Sequence, residues 1–520
     1  MKKKASFKPY AQHQLSFLPI DLDTLIPENH MVRVVDRAIE SMNTQPLFDR
    51  YPGGGTSAYN PVMMLKVIVY AYADKIYSSR TIAKATRENI NFMWLTGNVQ
   101  LDFMTINRFR GERLKGIIDD IFTEVVELLL REKYIKFENY FLDGTKIEAN
   151  ANKYSWVWGK STARYKENLK KKVLEHLAAI DIIEQEESEE YGKSDLPEMG
   201  NGNQINSKSI REAAVKIDEK LAENPKDREL KKAKKAIEKD YLPRMIKYEN
   251  QEEILEERRS YSKTDKDATF MRMKEDHMKN GQLKPGYNVQ IGTENQFVTG
   301  FSIHQRPGDT SCMKPHLEHL KELRGKLPEN IIADAGYGSE ENYEFLVSEQ
   351  VEHFVKYNTF HKEKTKKWQK DATRVQNWYY VGERDEYICG FGRYFIFLHE
   401  KKQKSDNGYE SLIRVYECED CSNCPFRNNC VKGTKPDADR RIYVNRRLNE
   451  LKESARTNLN SKKGLEMRSK RPIEVESVFG DIKGNFGVRR FLLRSLEKVK
   501  VEWGLYSIGH NMRKMAIARG

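Results

Sequence analysis

Tyr140-Phe-Leu-Asp-Gly-Thr-Lys-Ile-Glu-Ala-Asn150 is the stretch on which the fold turns. A compact apolar run leads into Asp143-Gly144 and then alternates apolar with polar residues, which is strand chemistry. The pattern returns at Asn330-Ile-Ile-Ala-Asp334, a buried strand expected to end at Asp334 and pass into the loop Ala335-Gly-Tyr-Gly338. Between them, Pro285–Ile291 and Phe297–His304 flank a polar turn at 293–295 and predict a hairpin. A helix is expected over 340–350. Strands interleaved with helices make this part of the chain α/β.

Outward from that centre the composition changes. Residues 1 to about 135 predict short helices separated by tight turns. Asn60-Pro61 sets one helix start, Ser78 and Ser79 offer a cap for a second, and Asp102 or Thr105 caps a third. Asn107, Arg108, Arg110 and Arg113 on that third helix suggest a helix-turn-helix DNA reader. From 160 to about 259 Lys and Glu crowd around Leu, Ile and Ala at intervals of three and four. That predicts a long charged helical pair, split near Gly200-Asn-Gly202 and inserted into the α/β part. The chain reads as helical again from 474 to 518.

Bulk properties narrow the function. The 520 residues carry 90 Lys+Arg against 77 Asp+Glu, a net charge of +13, and 10% are aromatic, too many for a disordered chain. Basicity favours a polyanionic partner, because each neutralised phosphate releases counterions. The longest apolar run, Met63–Ala73, contains Lys66 and is too short to span a bilayer. The opening MKKKASFKPYAQHQ lacks the apolar segment of a secretory signal. A cytoplasmic, nucleoid-associated protein is expected, with no membrane contact.

Three carboxylates stand out. Asp143 and Asp334 each close an apolar run and precede glycine, where α/β sheets place ligands. Glu476 lies in Arg471-Pro-Ile-Glu-Val-Glu-Ser-Val-Phe-Gly-Asp-Ile-Lys483, seven residues before a lysine and on one helical face with it. Two carboxylates from strand ends and one from a helix are suited to two divalent ions, Mg2+ or Mn2+, which take oxygen ligands. Such ions activate an attacking oxygen and stabilise a leaving one in phosphoryl transfer.

Cysteines supply a second candidate. Cys418, Cys421, Cys424 and Cys430 have the spacing of a closed structural Zn2+ site, with Cys389 as an alternative ligand and an iron–sulfur cluster as the other metal reading. Nearby Arg427, Lys432 and Lys435 are placed to meet DNA. Two further stretches are basic. Residues 356–380 hold seven Lys/Arg against two acids, with aromatics suited to stack on an unpaired base near the cut, and residues 483–520 hold nine against two. In the second, Lys483, Arg489, Arg490, Arg494, Lys498 and Lys500 are the candidates for phosphate contacts.

These blocks resemble the bacterial insertion-sequence DDE transposases. The resemblance is carried by Leu142–Asn150, Lys284-Pro-Gly-Tyr-Asn-Val-Gln290, Ala333-Asp-Ala-Gly-Tyr337, Val475–Lys483, Gly487-Val-Arg-Arg-Phe-Leu-Leu-Arg494 and His510-Asn-Met-Arg-Lys514. Pro9–Gln14 and Tyr51–Arg113 are similar to the helical domain that such enzymes carry, and the match is weakest over 160–260. The resemblance implies an RNase H-like mixed sheet flanked by helices, with Asp143, Asp334 and Glu476 as its acidic triad and Lys483 completing a Glu-x6-Lys pattern. An arginine is expected four residues before the Glu. Here Pro472 stands at that place and Arg471 one residue earlier, which leaves Glu474 as a competing choice. Asp309, in Gln305-Arg-Pro-Gly-Asp-Thr310, resembles a recurrent family Asp with a supporting role.

The expected organisation is therefore a helical DNA-binding domain (1–135), a catalytic core (136–160 and 261–355), a charged helical insertion (161–260), a basic, aromatic and zinc-binding insertion (356–440), and C-terminal helices of the core (441–520). The implied activity is cutting element ends and joining the 3′ hydroxyl to double-stranded target DNA, as a homodimer or larger assembly. The other readings are an RNase H-like nuclease or resolvase that never joins strands, and a zinc-stabilised DNA-binding protein without catalysis.

Overall fold

The computed structural model describes residues 21–51, 57–191, 205–273, 282–431 and 439–519. Pro9–Gln14, Gly200-Asn-Gly202, Lys432 and Lys435 lie outside them. The chain forms two units, Met1–Tyr134 with Val501–Gly520, and Ile135–Lys500. The last twenty residues, assigned from sequence to the catalytic core, thus cluster with the N-terminal helices.

The described elements of the first unit are all helical. The helix Pro61–Ala73 starts where Asn60 Oδ1 accepts hydrogen bonds from the amides of Val62 and Met63, and where Pro61 has no N–H to satisfy. Ten of its thirteen residues are buried, so it is the unit's central rod. Tyr72 packs against Tyr77 and Tyr506. Asp102, rather than Thr105, caps Phe103–Arg108 through Oδ2 to the amides of Met104 and Thr105. Ser78 precedes Ser79–Glu88 but makes no side-chain cap bond.

The second unit is built on a mixed six-stranded sheet. Its strands are β1 (Asn139–Glu148), β4 (Thr269–Arg272), β5 (Leu283–Glu294), β6 (Phe297–His304), β7 (Asn330–Ala333) and β8 (Glu352–Val355). They run in the order β4-β5-β1-β7-β8, with β6 also paired to β5. β5 and β6 form the expected hairpin, and Asn295 and Gln296 at its tip have φ of 51° and 62°. Two such residues match a type I′ turn, which follows the twist of the strands. β1 pairs antiparallel with β5 and parallel with β7, and β7 pairs parallel with β8.

β1 does not stop at Asp143, as its sequence pattern suggests, but continues to Glu148 with Asp143 opposite Ile291. The strand persists because β5 offers it a full antiparallel edge. β2 (Trp156–Trp158) and β3 (Ser260–Ser262) pair at the base of the helical insertion. That insertion is more than a helical pair. It comprises Gly159–Tyr191, Ser207–Glu223, and a run from Arg228–Ala236 through a π-helical turn, Ile237–Tyr241, into Leu242–Leu255. Leu169, Val173, Ile210, Ile217, Leu230 and Met245 give it a core of its own.

A second sheet holds β9 (Tyr379–Val381), β10 (Glu386–Ile388), β11 (Tyr394–Lys404), β12 (Glu410–Cys418) and β13 (Arg441–Val444), all antiparallel, in the order β13-β12-β11-β10-β9. No described helix is long and apolar enough to cross a membrane.

The start of β1 is anchored by Glu294. Its buried carboxylate accepts the backbone amides of Lys136, Phe137, Glu138 and Asn139 at 2.5–3.1 Å. Glu294→Ala strands these donors and is expected to lower unfolding free energy by about 3 kcal/mol, with Glu294→Gln losing less. Urea titrations of both variants check the order.

Candidate active site

Parallel pairing of β1 with β7 ends at Leu142 opposite Ala333, so Asp143 and Asp334 are the next residue on each strand. Gly144 is dictated by close approach: a Cβ there would lie 2.2 Å from Gln290 Nε2 and 2.8 Å from Asp309 Oδ1. Each aspartate is oriented by a backbone amide. Asp143 Oδ1 accepts Gly144 N–H at 2.8 Å, and Asp334 Oδ1 accepts Gly336 N–H at 2.8 Å as the cap of the turn Ala335–Tyr337. Both Oδ2 atoms face a third group.

That group is Arg471. Its guanidinium stands 3.0 Å from Asp143 Oδ2, 3.9 Å from Asp334 Oδ2 and 3.3 Å from Glu476 Oε1. The Arg471 side chain is 9% exposed, Asp143 12%, Asp334 42% and Glu476 58%, so the cluster is sealed at Asp143 and open at Glu476. All three sequence-picked carboxylates therefore converge on one buried cation.

Local helix geometry accounts for the shifted arginine. Lys462–Arg471 passes into a π-helical turn over Pro472–Glu476. Proline has no N–H to give an i−4 carbonyl, and a π turn bonds i to i+5. Arg471 and Glu476, five apart, are thereby brought onto one face. Glu474 is turned elsewhere, accepting Gln296 N–H at 2.7 Å at the hairpin tip. It does not compete for the site.

Beneath Gly144 lies a second polar cluster. Asp309 Oδ1 accepts Asn288 Nδ2 at 2.8 Å and Gln290 Nε2 at 3.2 Å, and the Tyr337 hydroxyl donates to Gln290 Oε1. Burial, followed by the charges of Asp309, Asp143 and Asp334, pushes the Tyr337 phenol well up, so it stays a donor. Neighbouring strand residues face opposite sides, which puts Asp309 on the Gly144 side and away from Arg471.

Several candidate DNA contacts are engaged within the protein. Arg110 is buried, donating to the Tyr72 hydroxyl at 3.1 Å and the Tyr77 carbonyl at 2.7 Å, and it is withdrawn from the DNA-facing set. A guanidinium inside an aromatic cluster is retained by these bonds. Asn107 and Arg108 are exposed. Arg490 donates to the carbonyls of Ala149 and Ala151, and Arg494 to that of Asn150 at 2.8 Å. These two arginines clamp the loop after β1. Arg489 is exposed, while Lys483 is half-buried on a second π turn, Asp481–Asn485.

No group of three or more His, Cys, Asp or Glu among the described residues is placed to hold a metal ion. For the carboxylates, Arg471 occupies the middle. The donor set is all oxygen and fits hard divalent ions by its chemistry. For the cysteines the zinc and iron–sulfur expectations are not supported. Cys389, Cys418 and Cys421 are buried with Trp378, Phe395 and Tyr416 as small core side chains, whereas Cys424 and Cys430 are half-buried. Burial, then a hydrogen bond with Cys421, pushes the Cys418 thiol up to about 12. Alkylation at pH 8 followed by peptide mapping is expected to label Cys424 first and Cys418 last, because the thiolate is the nucleophile. A chelator should leave that order unchanged; simultaneous release of all four thiols would reinstate a metal site.

The chain matches two family models. One, described as Transposase domain (DUF772), covers residues 20–112, and one described as Transposase DDE domain covers residues 388–516, including Glu476. No curated protein matches the chain. Transposase models on both the N-terminal helices and the Glu476 segment show that these two parts of the chain are similar to transposase domains and support the resemblance to insertion-sequence DDE transposases.

Proposed function

We propose that the protein cuts DNA at the ends of its element and joins the freed 3′ hydroxyl to target DNA, with Asp143, Asp334 and Glu476 as the catalytic carboxylates. The observation that carries the reading is their convergence on Arg471 from three separate segments of chain. The strand order β6-β5-β1-β7-β8, an antiparallel meander followed by two parallel strands, supports the RNase H-like core implied by the family resemblance.

Asp143, Asp334 and Glu476 would hold divalent ions, which would supply activation of the attacking oxygen and charge neutralisation at the leaving oxygen. The chain's own residues do the rest. Gly144 N–H and Gly336 N–H fix the two aspartates so that their outer oxygens share one point. Arg471 balances the three negative charges, which would otherwise repel one another at short range. Glu476, the most exposed member, lies where substrate enters. Lys483 is assigned to backbone phosphate, and Asn107 and Arg108 to DNA in the helical unit. Joining needs both element ends held together, so the working species is a dimer or larger assembly on DNA, in the cytoplasm.

Purified protein, end-labelled element DNA and a circular target test this. Asp143→Asn, Asp334→Asn and Glu476→Gln are each expected to reduce Mg2+-dependent nicking by about a thousandfold or more while retaining DNA binding. EDTA should have the same effect on the unaltered protein. Retained nicking in any variant removes that residue from the site. Nicking without joined product assigns the protein to the nuclease class.

A further inference from the structure

A group of basic side chains stands beside the acidic triad. Lys356 follows the last residue of β8, and its N–H bonds the Ala333 carbonyl, next to Asp334. Its half-buried ammonium makes no hydrogen bond or ion pair among the described residues. Burial, and then the positive charges of Arg471 and Arg468, hold that ammonium below the usual lysine range against the opposing pull of Asp334 and Glu476.

Arg468 sits three residues before Arg471 on Lys462–Arg471, one turn back on the same face. Its guanidinium lies 5.1 Å from the buried Phe360 ring, and Lys364 Nζ lies 4.7 Å from that ring. The His361 imidazole packs edge-on to it at 5.2 Å. His361 is also held below the ordinary histidine range by burial and by Lys356, Arg468 and Lys364. One aromatic ring thus gathers three basic side chains, with Lys356 between them and the triad.

The one acid of residues 356–364 offers no relief. Glu363 accepts the Tyr357 hydroxyl at 2.9 Å and Arg456 at 2.8 Å. Basic side chains gathered around one ring, with a half-buried lysine ammonium between them and the triad, offer a place for an anionic group of the substrate.

We propose that Lys356, His361, Lys364 and Arg468 form a seat for a DNA backbone phosphate adjacent to the one at the triad. The Phe360 ring sets the spacing of Lys364, His361 and Arg468, while Arg471 stays with the carboxylates. The inference rests on the triad reading for the placing of DNA, but its test reads binding rather than cleavage.

Full-length protein is titrated with fluorescein-labelled random-sequence duplex DNA in EDTA over a range of salt. The double variant Lys356→Gln/Arg468→Gln is expected to bind about tenfold more weakly, as loss of a charge-assisted hydrogen bond predicts. Its plot of log affinity against log salt should be shallower by about 0.9 for one lost phosphate contact. Lys356→Arg should bind as the unaltered protein does, and matching thermal unfolding of all variants separates charge from folding. Unchanged affinity and slope in the double variant overturn the seat, as does an equal loss in Lys356→Arg. Asp334→Asn, run in parallel for Mg2+-dependent nicking, reports on the triad alone. Retained nicking there overturns the triad without altering the salt slope.

Discussion

The parallel register of β1 on β7 is the constraint from which the site follows. Pairing ends at Leu142 opposite Ala333, and the next residue on each strand is an aspartate. Two carboxylates set side by side in a partly buried place repel unless a cation joins them. Arg471 is that cation, and its Nε has no hydrogen-bond partner while its terminal nitrogens face the carboxylates. Removing one partner of a buried ion set strands charge at a cost of about 3–5 kcal/mol. Asp143, nearly sealed, bears most of this, since water screens Asp334 and Glu476.

The helix that closes the site departs from regular geometry where the site needs it. Two π turns, Pro472–Glu476 and Asp481–Asn485, flank the short α-helix Ser477–Gly480. Such turns are often found at functional positions, because one extra residue re-aims the side chains on either side. The first puts Arg471 and Glu476 on one face and sends Glu474 to the hairpin tip. The second alters the count between Glu476 and Lys483, so their spacing of seven does not by itself set a common face. The basic group on Phe360 follows from the same helix, since Arg468 lies one turn behind Arg471.

Much of the site was legible before folding because its signals are local. An apolar run ending in Asp-Gly, a polar hairpin turn, and Asn60 before Pro61 each act within a few residues. The family blocks added order along the chain and pointed to the same three carboxylates. Legibility failed where a side chain's role depends on distant partners. Arg110 reads as a DNA contact until Tyr72 and Tyr77 enclose it, and Arg490 and Arg494 read likewise until the loop after β1 takes their donors. The cysteine spacing has the pattern of a metal site, yet burial beside Trp378, Phe395 and Tyr416 makes three of the five thiols part of a core.

Taken alone, the amino-acid order determined the strands around Asp143 and Asp334, the β5–β6 hairpin, the helical character of the N-terminal segment, and which acidic residues end apolar runs; the five-stranded sheet β9–β13 was not legible in it. Those outcomes rest on backbone propensity and short-range patterning. Only the tertiary structure decided that Asp143 lies within a strand, that one guanidinium gathers three carboxylates, and that four basic side chains stand near them. Convergence of charges from remote segments depends on strand register and helix pitch, and neither is written in any one stretch of sequence.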